Sequence, residues 1–275
     1  MPELPEVETT RRGIAAAIEG GRFEGAVVRD ARLRWPVPPE LDALVAGRPL
    51  LRIWRRAKYL LFDLGHGHLI LHLGMSGSLR VVDADTPPGK HDHVDLLLAG
   101  GERPRALRYR DPRRFGALLW QPGELQGHPL LARLGPEPLE EGFTAAYLKA
   151  ALGRKRVAIK LALMDNHIVV GVGNIYANEA LFRAGIKPTR PAEKLSRADC
   201  ERLVQTVKET LLEAIAAGGS TLRDFVDSEG KPGYFQQRYF VYGREAEPCL
   251  RCGEEIRQTR LGQRATFWCP HCQPR

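Results

Sequence analysis

Four cysteines near the C-terminus are spaced as ligands for a single metal ion. Cys249 and Cys252 are separated by sixteen residues from Cys269 and Cys272, and paired Cys-x-x-Cys knuckles at this distance are typical of structural zinc sites. Four thiolates complete a tetrahedral shell and leave no open position for catalysis. We therefore expect one structural Zn²⁺ that folds a short segment without its own core, rather than two disulfides or free thiols.

The segment between the knuckles, GEEIRQTRLGQRATFW, predicts a two-stranded hairpin that turns near Gly262. Three arginines, Arg257, Arg260 and Arg264, are expected on or near its tip, where a guanidinium can reach a phosphate. Zinc ribbons serve many functions, so this feature by itself defines no activity.

The first ten residues, MPELPEVETT, contain a proline at position 2 and two carboxylates, Glu3 and Glu6. A helix is predicted over residues 5–18. Pro2 suits the start of that helix, because proline lacks the N–H that a first turn leaves unpaired. Carboxylates also stabilise the positive end of a helix. On these ten residues alone, a helix start is favoured over a chemical role.

The stretch RIWRRAKY places Arg52, Arg56 and Lys58 on one face of a predicted strand, since alternate residues of a strand share a face. A lysine held among other cations suits general acid–base chemistry. The alternative is a solvated edge strand that its charges protect from pairing, and the strand alone favours that alternative.

Two predicted turns carry side chains that could enter a base stack. HLGMSGSL puts Met75 at the tip of a glycine-bounded turn, and RYRDPRRFG puts Arg113 and Phe115 in a second turn, which Asp111 and Pro112 open. Apolar wedges paired with arginine kink DNA and replace a displaced base. The alternative, in which Met75 and Phe115 fold back onto the core, fits each single turn equally well.

Several polar side chains are candidates for contact with phosphate. GVGNIYANEAL predicts a glycine turn that leads into a helix, whose first N–H groups and the amide of Asn174 can bind a phosphate. Lys155 and Lys160 precede this turn and favour phosphate over the alternative, which is helix packing through small residues. In KHDHVD, His91 and His93 have no evident third metal ligand, so phosphate contact or packing is expected for His91.

The charge balance indicates a polyanionic partner. The chain has 41 Lys and Arg against 33 Asp and Glu, a formal net charge of +8, and such a balance most often accompanies nucleic-acid binding. No apolar run is long enough to span a bilayer, and the acidic N-terminus is unlike a signal peptide. We therefore expect a cytoplasmic protein without a membrane partner.

The predicted elements divide the chain into a strand-rich first half and a helical second half. Short strands at regular spacing over about 23–120 predict a sandwich or a barrel. LGPEPLEEGF, rich in proline, glycine and acids, favours an interdomain linker. The expected organisation is a strand domain over 1–133, a linker over 134–150, a helical domain over 151–240 and a zinc finger over 241–275.

Three of these elements are predicted in detail. Residues 50–64 predict one strand, and residues 93–110 predict a hairpin. Ser196 and Asp199 predict a capping box at the start of a helix that ends at Gly218. The apolar stripe of that helix comprises Leu203, Val207, Leu211 and Ile215.

Taken in order, these motifs resemble those of the formamidopyrimidine-DNA glycosylase family, bacterial enzymes of base-excision repair. The matching segments are PELPEVE, RRAKYL, HLGMSGSL, KHDHVD, DPRRFG, LMDN with GVGNIYANEAL, GGSTLRDF with GKPGYF, and the four-cysteine finger with QRATFWC. They cover nearly the whole chain, with no departure in the catalytic motifs. The resemblance implies an α+β fold: a β-sandwich domain with flanking helices, then a helical domain with a helix–two-turn–helix motif and the zinc finger, with double-stranded DNA in the cleft between them.

The resemblance also implies a chemistry for the N-terminus. Met1 is removed, and the secondary amine of Pro2 attacks C1′ of a nucleotide that carries an oxidised purine. The resulting Schiff base leads to β- and δ-elimination and strand cleavage, also at abasic sites. By resemblance, Glu3 is the acid–base group, Glu6 orients the amine, Lys58 donates a proton in β-elimination, and Arg264 contacts a phosphate and assists δ-elimination.

The remaining motif residues are implied to bind DNA. Met75, Arg113 and Phe115 would fill the space left by the flipped base, and residues 220–235 would close over that base. The residues implied to hold the backbone are His91, Lys155, Lys160 and Asn174. A monomer suits such an enzyme.

Three alternatives remain at this point. An endonuclease VIII-type glycosylase shares the Pro-Glu start but prefers oxidised pyrimidines. A non-catalytic DNA-binding zinc protein, or an RNA-binding zinc-ribbon protein, would share the charge and the finger and would not need a free N-terminal proline.

Overall fold

The structure, a computed structural model, describes residues 2–219 and 239–274. Within them the chain forms two compact units, residues 2–132 with 217–219 and residues 133–216 with 239–274. In this described part of the chain, no helix has both the length and the apolar character that crossing a membrane requires.

The first unit consists of two four-stranded antiparallel sheets and two helices. The strand orders are β1-β6-β7-β5 and β2-β3-β4-β8. Its elements are α1 (Leu4–Ile18), β1 (Phe23–Val28), α2 (Leu41–Val45), β2 (Arg52–Arg56), β3 (Tyr59–Asp63), β4 (Gly67–His72), β5 (Ser78–Asp83), β6 (Asp92–Leu98), β7 (Arg105–Arg110) and β8 (Ala117–Pro122).

The two sheets share one apolar core, so the first unit is a β-sandwich. Alternate residues of each strand face that core, as the period of two requires. Leu60 and Phe62 enter it from one sheet, and Leu79 and Leu107 enter it from the other. The strand-rich first half and the hairpin predicted over 93–110 are confirmed, because β6 pairs with β7.

The prediction of one strand over residues 50–64 is wrong. β2 and β3 form a tight hairpin in which Arg56 pairs with Tyr59, so Ala57 and Lys58 are the two turn residues. Ala57 has a φ of 54°, a value that two-residue hairpin turns require and that a continuous strand excludes. Lys58 therefore lies in a turn and does not share a strand face with Arg52 and Arg56.

Helix α1 also begins differently from the prediction. Glu3 is its N-cap residue and Leu4 its first helical residue, so Pro2 precedes the helix instead of lying in its first turn. The proline that occupies the first turn is Pro5. The helix start therefore does not account for the proline at position 2.

The second unit is helical and ends in a hairpin. Its elements are α3 (Ala145–Leu152), α4 (Ile159–Leu163), α5 (Asn174–Ala184), α6 (Arg197–Ala216), β9 (Arg257–Leu261) and β10 (Arg264–Trp268), with a short 3₁₀ turn over Ala192–Lys194. The stretch predicted as a linker, 134–150, contains the first residues of α3. That helix begins because the Thr144 hydroxyl accepts the Tyr147 N–H at 3.1 Å.

Helix α6 has the predicted start and the predicted apolar stripe. The Ser196 N–H donates to Asp199 Oδ2 at 2.9 Å, and the Asp199 N–H donates to Ser196 Oγ at 3.1 Å, which is a reciprocal capping box. Leu203, Val207 and Leu211 of the stripe are buried. The α+β class, with a sandwich followed by a helical region and a four-cysteine finger, is confirmed.

Candidate active site

The N-terminal residues Pro2, Glu3 and Glu6 are held in one buried cap. All three are buried, Glu3 with 2 % and Glu6 with 0 % of its surface exposed. The Glu3 N–H donates to Glu6 Oε2 at 2.7 Å, and the Glu3 side chain accepts the N–H of Glu6 in return. This reciprocal pair fixes the backbone that directly follows Pro2.

Helix α1 runs alongside β2 in the opposite direction. Arg55 Nε lies 3.5 Å from Glu8 Oε2, and Arg11 Nη1 donates to the Ile53 carbonyl at 3.4 Å. Moving towards the start of the helix therefore means moving towards the end of β2. This direction brings the N-terminal cap to the end of the sandwich where the turn with Lys58 lies.

A neutral histidine lies beside Lys58. His72 pairs with Tyr59 across β3 and β4, and its Nδ1 accepts the Gly74 N–H at 2.9 Å. Burial lowers the pKa of His72 to about 4, and the positive charges of Lys58 and Arg34 contribute to that lowering. The imidazole is therefore uncharged at neutral pH.

One buried carboxylate, that of Asp111, joins the two turns that carry Met75, Arg113 and Phe115. Asp111 is fully buried and lies at the start of the second turn. Its Oδ1 accepts from Ser76 Oγ at 2.8 Å, and its Oδ2 accepts from the Gly116 N–H at 2.8 Å. The Arg113 N–H donates to Ser76 Oγ at 3.2 Å and also reaches Asp111 Oδ1 at 3.3 Å.

Two further groups complete the surroundings of this carboxylate. The Tyr109 hydroxyl donates to Asp111 Oδ2 at 3.2 Å, and burial together with the Asp111 charge raises the pKa of Tyr109 well above its ordinary value. Gly74 has a φ of 64°, and a Cβ at this position would collide with the backbone of Phe115 and Gly116. The two turns therefore touch backbone to backbone and form one assembly.

This assembly presents the three predicted wedge residues together. Arg113 is exposed, Phe115 has 47 % of its surface exposed, and Met75 is half-buried. The Arg113 guanidinium lies 4.9 Å from the centre of the Phe115 ring. Phe115 therefore does not fold back onto the core, although an exposed aromatic ring costs free energy unless a partner covers it.

His91 lies next to the same assembly. Its carbonyl accepts the Asp111 N–H at 3.0 Å, its ring is half-buried, and the neighbouring His93 contacts the Asp111 carbonyl at 2.8 Å through Nε2. Among the described residues, the only group of three or more potential ligands from His, Cys, Asp and Glu is the cysteine cluster. His91 is therefore placed for packing or phosphate contact and has no metal-binding partners there.

The four cysteines form a site that fits one zinc ion. All four Sγ atoms lie within 4.8 Å of one another. Cys249 Sγ lies 3.9 Å from Cys272 Sγ, and Cys252 Sγ lies 3.5 Å from Cys269 Sγ, close to the spacing that Zn–S bonds of about 2.3 Å in a tetrahedron require. The chain therefore has one structural zinc site of four thiolates.

Buried polar side chains of α5 fasten the finger to the helical region. Glu179 accepts three consecutive N–H groups, those of Phe240, Val241 and Tyr242, at 2.8–3.0 Å. Asn178 Oδ1 accepts the Phe267 N–H at 2.8 Å. Burial raises the pKa of Glu179, although these three hydrogen bonds act in the opposite direction.

The finger hairpin, β9 and β10, carries Arg264 immediately after its turn. Gly262 and Gln263 both have positive φ, 52° and 61°, as a two-residue type I′ turn requires. A Cβ on Gly262 would lie 2.9 Å from Leu161 Cδ2, so the turn packs closely against α4. Arg264 is exposed beside it, whereas Arg257, predicted on or near the tip, lies at the far end and pairs with Trp268.

Lys160 does not fit its predicted role as a phosphate contact. It has 0 % of its surface exposed, so its ammonium group does not reach solvent. Its Nζ donates to the Ala265 carbonyl at 2.8 Å and to Thr266 Oγ1 at 2.6 Å. Lys160 therefore holds the strand that carries Arg264, because an ammonium group inside a protein needs such acceptors.

Lys155 and Asn174 have surroundings that suit phosphate contact. Lys155 is exposed, and its ammonium lies 3.8 Å from an Asp165 carboxylate oxygen, with 46 % of the lysine side chain accessible. Asn174 is the first residue of α5 and is half-buried. The predicted closing segment, residues 220–235, lies outside the described residues.

Sequence reasoning missed the groups that hold the functional side chains in place. Asp111 was visible only as the start of an Asp-Pro turn, and Asn178 and Glu179 only as polar residues in an otherwise apolar helix. A carboxylate within a buried helical face was the available signal for Glu179. Nothing in the sequence indicated that Lys160 meets Thr266.

Comparison with known families gives consistent matches along the chain. Residues 1–118 match the model of the formamidopyrimidine-DNA glycosylase N-terminal domain, residues 134–226 that of the H2TH domain of the same enzymes, and residues 246–275 that of a zinc finger found in FPG and IleRS. The chain therefore belongs to the formamidopyrimidine-DNA glycosylase family.

Individual relatives agree with this assignment. A formamidopyrimidine-DNA glycosylase of Laribacter hongkongensis is 58 % identical over 99 % of this chain and 100 % of its own. The MutM (Fpg) crystal structure from Thermus thermophilus is 43 % identical, with a TM-score of 0.87 over 99 % of both chains. The Lactococcus lactis Fpg in complex with abasic-site DNA is 33 % identical, with a TM-score of 0.91 over 99 % of this chain and 100 % of that one.

Proposed function

We propose that this protein is a bifunctional DNA glycosylase and AP lyase that removes oxidised purines from double-stranded DNA and then cleaves the strand. The observation that carries the proposal is the N-terminal cap, in which Glu3 and Glu6 fix the backbone beside Pro2 at the end of the sandwich near Lys58. Family membership supports it, and so do relatives solved with damaged or abasic DNA.

Pro2 is the nucleophile once Met1 has been removed. Before removal the Pro2 nitrogen is an amide, and afterwards it is a secondary amine, and free α-amines are partly unprotonated near neutral pH. Attack on C1′ forms a C–N bond as the bond to the base breaks, and the amine gives up its proton. The C1′–O4′ bond then breaks as O4′ takes a proton from Glu3, which opens the sugar ring and leaves C1′ double-bonded to the proline nitrogen. The resulting iminium has no N–H to lose, so it keeps its positive charge and acts as an electron sink for elimination.

Glu3, Glu6 and Lys58 move or orient protons around this amine. Glu3 is the acid–base group that opens the sugar ring. Glu6 orients Glu3 and the amine through the capping box. Lys58 donates the proton in β-elimination from its turn. The uncharged His72 beside it leaves the ammonium of Lys58 without a competing histidine charge.

Arg264 contacts a phosphate of the damaged strand and assists δ-elimination. The type I′ turn, the contact with Leu161 and the zinc site fix the hairpin that presents Arg264. Zinc supplies folding free energy in this scheme and takes no part in the reaction.

The assembly of two turns keeps the DNA open after the base has flipped. Met75, Arg113 and Phe115 occupy the vacated space, and Arg113 faces the orphaned partner base. Base flipping costs a few kcal/mol, which these contacts and the backbone contacts offset. The residues proposed to hold the backbone are His91, Lys155 and Asn174, the last through the N-terminus of α5.

Oxidised purines are favoured over oxidised pyrimidines as the substrate class. MutM has been solved with DNA containing carbocyclic 8-oxo-G, at 34 % identity over 100 % of both chains and a TM-score of 0.90. A Lactococcus lactis Fpg variant has been solved with DNA containing Fapy-dG. The alternative, an endonuclease VIII-type preference for oxidised pyrimidines, is tested by comparing excision of 8-oxoguanine with excision of thymine glycol.

The organisation of the chain and its location follow from this function. The sandwich is the catalytic domain, and the helical DNA-binding domain begins near residue 133, with the zinc finger after residue 240. The protein acts as a monomer in the cytoplasm, where bacterial DNA is found.

Borohydride trapping tests the proposal directly. The protein is incubated with a duplex that carries 8-oxoguanine opposite cytosine, reduced, and digested to map the adduct. An adduct on Pro2 is expected, and Glu3→Gln should form it much more slowly. Protein that retains Met1 is the matched control and should form none. If the mature protein binds this duplex without forming an adduct, the catalytic proposal fails for this lesion.

A further inference from the structure

The outer face of one sheet carries a polar cleft that none of the proposed roles uses. The cleft, of about 250 Å³, is lined by residues of β5, β6 and β7 and by the loop that joins β5 to β6. We name it the outer-face cleft. Its principal residues are Ser78, Arg80, Val82, Asp92, Arg108 and Arg110.

Strand register places the polar residues of this cleft side by side. Ser78 pairs with Arg110, and Arg80 pairs with Arg108. These residues alternate with Leu79 and Leu107, which enter the core, so their side chains leave the opposite face of the sheet. Three guanidinium groups and one hydroxyl therefore share a small concave surface.

One of the three arginines is already paired. Arg108 donates to both carboxylate oxygens of Asp95 at 2.9 Å, and Asp92 lies 3.8 Å from Arg108 Nη1. Arg29 Nη2 also donates to Asp95 at 2.6 Å. The Asp95 carboxylate is thus fully committed to this pair of arginines. The second carboxylate of the cleft, that of Asp92, accepts the Gly89 N–H at 2.7 Å and makes no hydrogen bond to Arg80 or Arg110.

Three donors of the cleft remain without acceptors among the described residues. Ser78 Oγ and Arg80 Nε are both buried and have no hydrogen-bond partner. The Arg110 guanidinium is exposed and makes no hydrogen bond or ion pair with that part of the chain. Buried donors without partners are rare in native proteins, and a water molecule or a ligand must satisfy them. A hydroxyl with two guanidinium groups matches the oxygens of a phosphate.

The position of the cleft indicates which phosphate it binds. Ser78 follows the turn of Met75 by three residues, and Arg110 directly precedes Asp111. The cleft therefore lies next to the end of the turn that carries Met75 and next to the start of the turn that carries Arg113 and Phe115. It lies on the outer face of the sheet at that end. A duplex opened by these turns has backbone phosphates on either side of them.

We propose that the outer-face cleft binds one backbone phosphate of the DNA, through Ser78, Arg80 and Arg110. This contact extends the DNA interface along the sandwich beyond the residues assigned above. The proposal rests on the proposed function, because it takes DNA as the ligand. Free inorganic phosphate has the same chemistry and is the other source to be distinguished.

The salt dependence of DNA binding tests the proposal. Affinity for an undamaged duplex is measured from 0.1 M to 1 M salt for the wild type, Arg110→Ala and Arg103→Ala. Each phosphate contact contributes about 0.9 to the slope of log K against log salt. Arg110→Ala should lower the slope by about that amount. The factor by which the variant loses affinity should therefore be about eight times larger at 0.1 M salt than at 1 M salt.

Arg103→Ala is the matched control. Arg103 is exposed in the loop between β6 and β7, at the opposite end of the same sheet, and its loss removes the same charge. It should leave the slope at the wild-type value. Equal slopes for the two variants would overturn the proposal. Ser78→Ala, which keeps every charge, should weaken binding at all salt concentrations.

Titration with inorganic phosphate distinguishes the two sources. The Arg80 Nε–H resonance is followed by NMR during addition of phosphate or of a short duplex. The proposal is supported if the duplex shifts this resonance in the wild type but not in Arg110→Ala. A shift with phosphate alone, combined with an unchanged slope in Arg110→Ala, would overturn the assignment to DNA. Salt slopes on undamaged DNA do not depend on Pro2, so failure of borohydride trapping leaves this result interpretable.

Discussion

The two turns of the sandwich and the hairpin of the finger both present short exposed segments, but different kinds of support hold them. One local carboxylate, Asp111, holds the wedge turns, which we define as residues 74–76 and 112–115. Distant groups hold the finger hairpin: a metal site, the Gly262 contact with Leu161, and buried side chains of α4 and α5.

The difference follows from what each region can bury. The wedge turns connect strands that already belong to a large apolar core. The hydrogen bonds of one carboxylate are therefore enough to fix these turns. The finger has only a small cluster around Phe182, Val241, Ile256 and Phe267. A segment of that size cannot fold on apolar burial alone, so metal binding and docking must supply the rest.

Loss of zinc should have the largest effect and should be confined to the finger. Zinc binding in small domains contributes roughly 10–16 kcal/mol at neutral pH. We expect Cys252→Ser, or chelation of the wild type, to abolish amide protection in the finger hairpin and to abolish strand cleavage. Amides of β3 and β4 should stay protected. Hydrogen exchange with a zinc assay checks both expectations.

Cys200→Ser is the control for this experiment. Cys200 is buried in α6, outside the cysteine cluster, so the variant should still contain one zinc per chain. Persistent protection of β10 in zinc-free protein would show that docking on α5 suffices without the metal.

Asp111→Asn should have the next largest effect, confined to the wedge turns. The amide replaces an acceptor-only carboxylate, so at least one N–H or O–H donor now faces an NH₂ group. Hydrogen bonds to a charged acceptor contribute about 1.5–3 kcal/mol each, and we expect the sandwich to lose about 3–5 kcal/mol. Denaturant unfolding of the variant checks the stability, and affinity for an abasic duplex checks the turns.

Ser76→Ala provides the graded comparison for Asp111→Asn. It removes one donor to Asp111 and one acceptor for the Arg113 N–H, so about 1–2 kcal/mol should be lost. If the two variants lose equal stability, the Asp111 carboxylate is not the main group that holds these turns together.

The sandwich should also respond to pH through His72, with a somewhat smaller effect. Its pKa is about 4 in the folded chain and about 6.5 when unfolded. Between these values the unfolded chain binds the additional proton, so stability rises with pH from 4 to 6.5 and is lost as the pH falls. At 1.36 kcal/mol per unit, the change is about 3 kcal/mol.

The variant His72→Asn isolates this effect from other titrating groups. Its amide oxygen can accept the Gly74 N–H in place of Nδ1 and does not titrate. Hydrogen exchange of β3 and β4 amides at pH 4.5 and pH 7 should show a smaller difference in the variant than in the wild type. An unchanged difference would mean that His72 is not held neutral by its surroundings.

The sequence predicted the residues that carry local signals and missed those whose meaning depends on distant contacts. The α6 capping box, the cysteine spacing and the hairpin over 93–110 rest on local patterns, and all three are confirmed. The turn at Ala57 and Lys58 was missed because its residues are not typical of turns. A positive φ at alanine is imposed by the pairing of Arg56 with Tyr59, and pairing across strands is not visible in the sequence.

Lys160 makes the same point at the candidate site. A lysine four residues after a run of basic side chains predicts phosphate contact, because lysines are normally exposed. Its partners, Ala265 and Thr266, lie more than a hundred positions away in the sequence. Only the fold brings them together, so the sequence alone could not distinguish a DNA contact from an internal fastening of the finger hairpin.

Lys160→Met and Lys155→Met should therefore weaken DNA binding in different ways. Lys160→Met leaves the Ala265 carbonyl without this donor, so we expect β10 to lose about 1–3 kcal/mol of protection. Duplex affinity should fall together with that protection, because Arg264 is less well fixed. Lys155→Met should lower the slope of log K against log salt by about 0.9 and leave β10 protected. A lower slope in Lys160→Met with unchanged protection of β10 would support the phosphate contact that the sequence predicted, because Arg264 would then still be held in place.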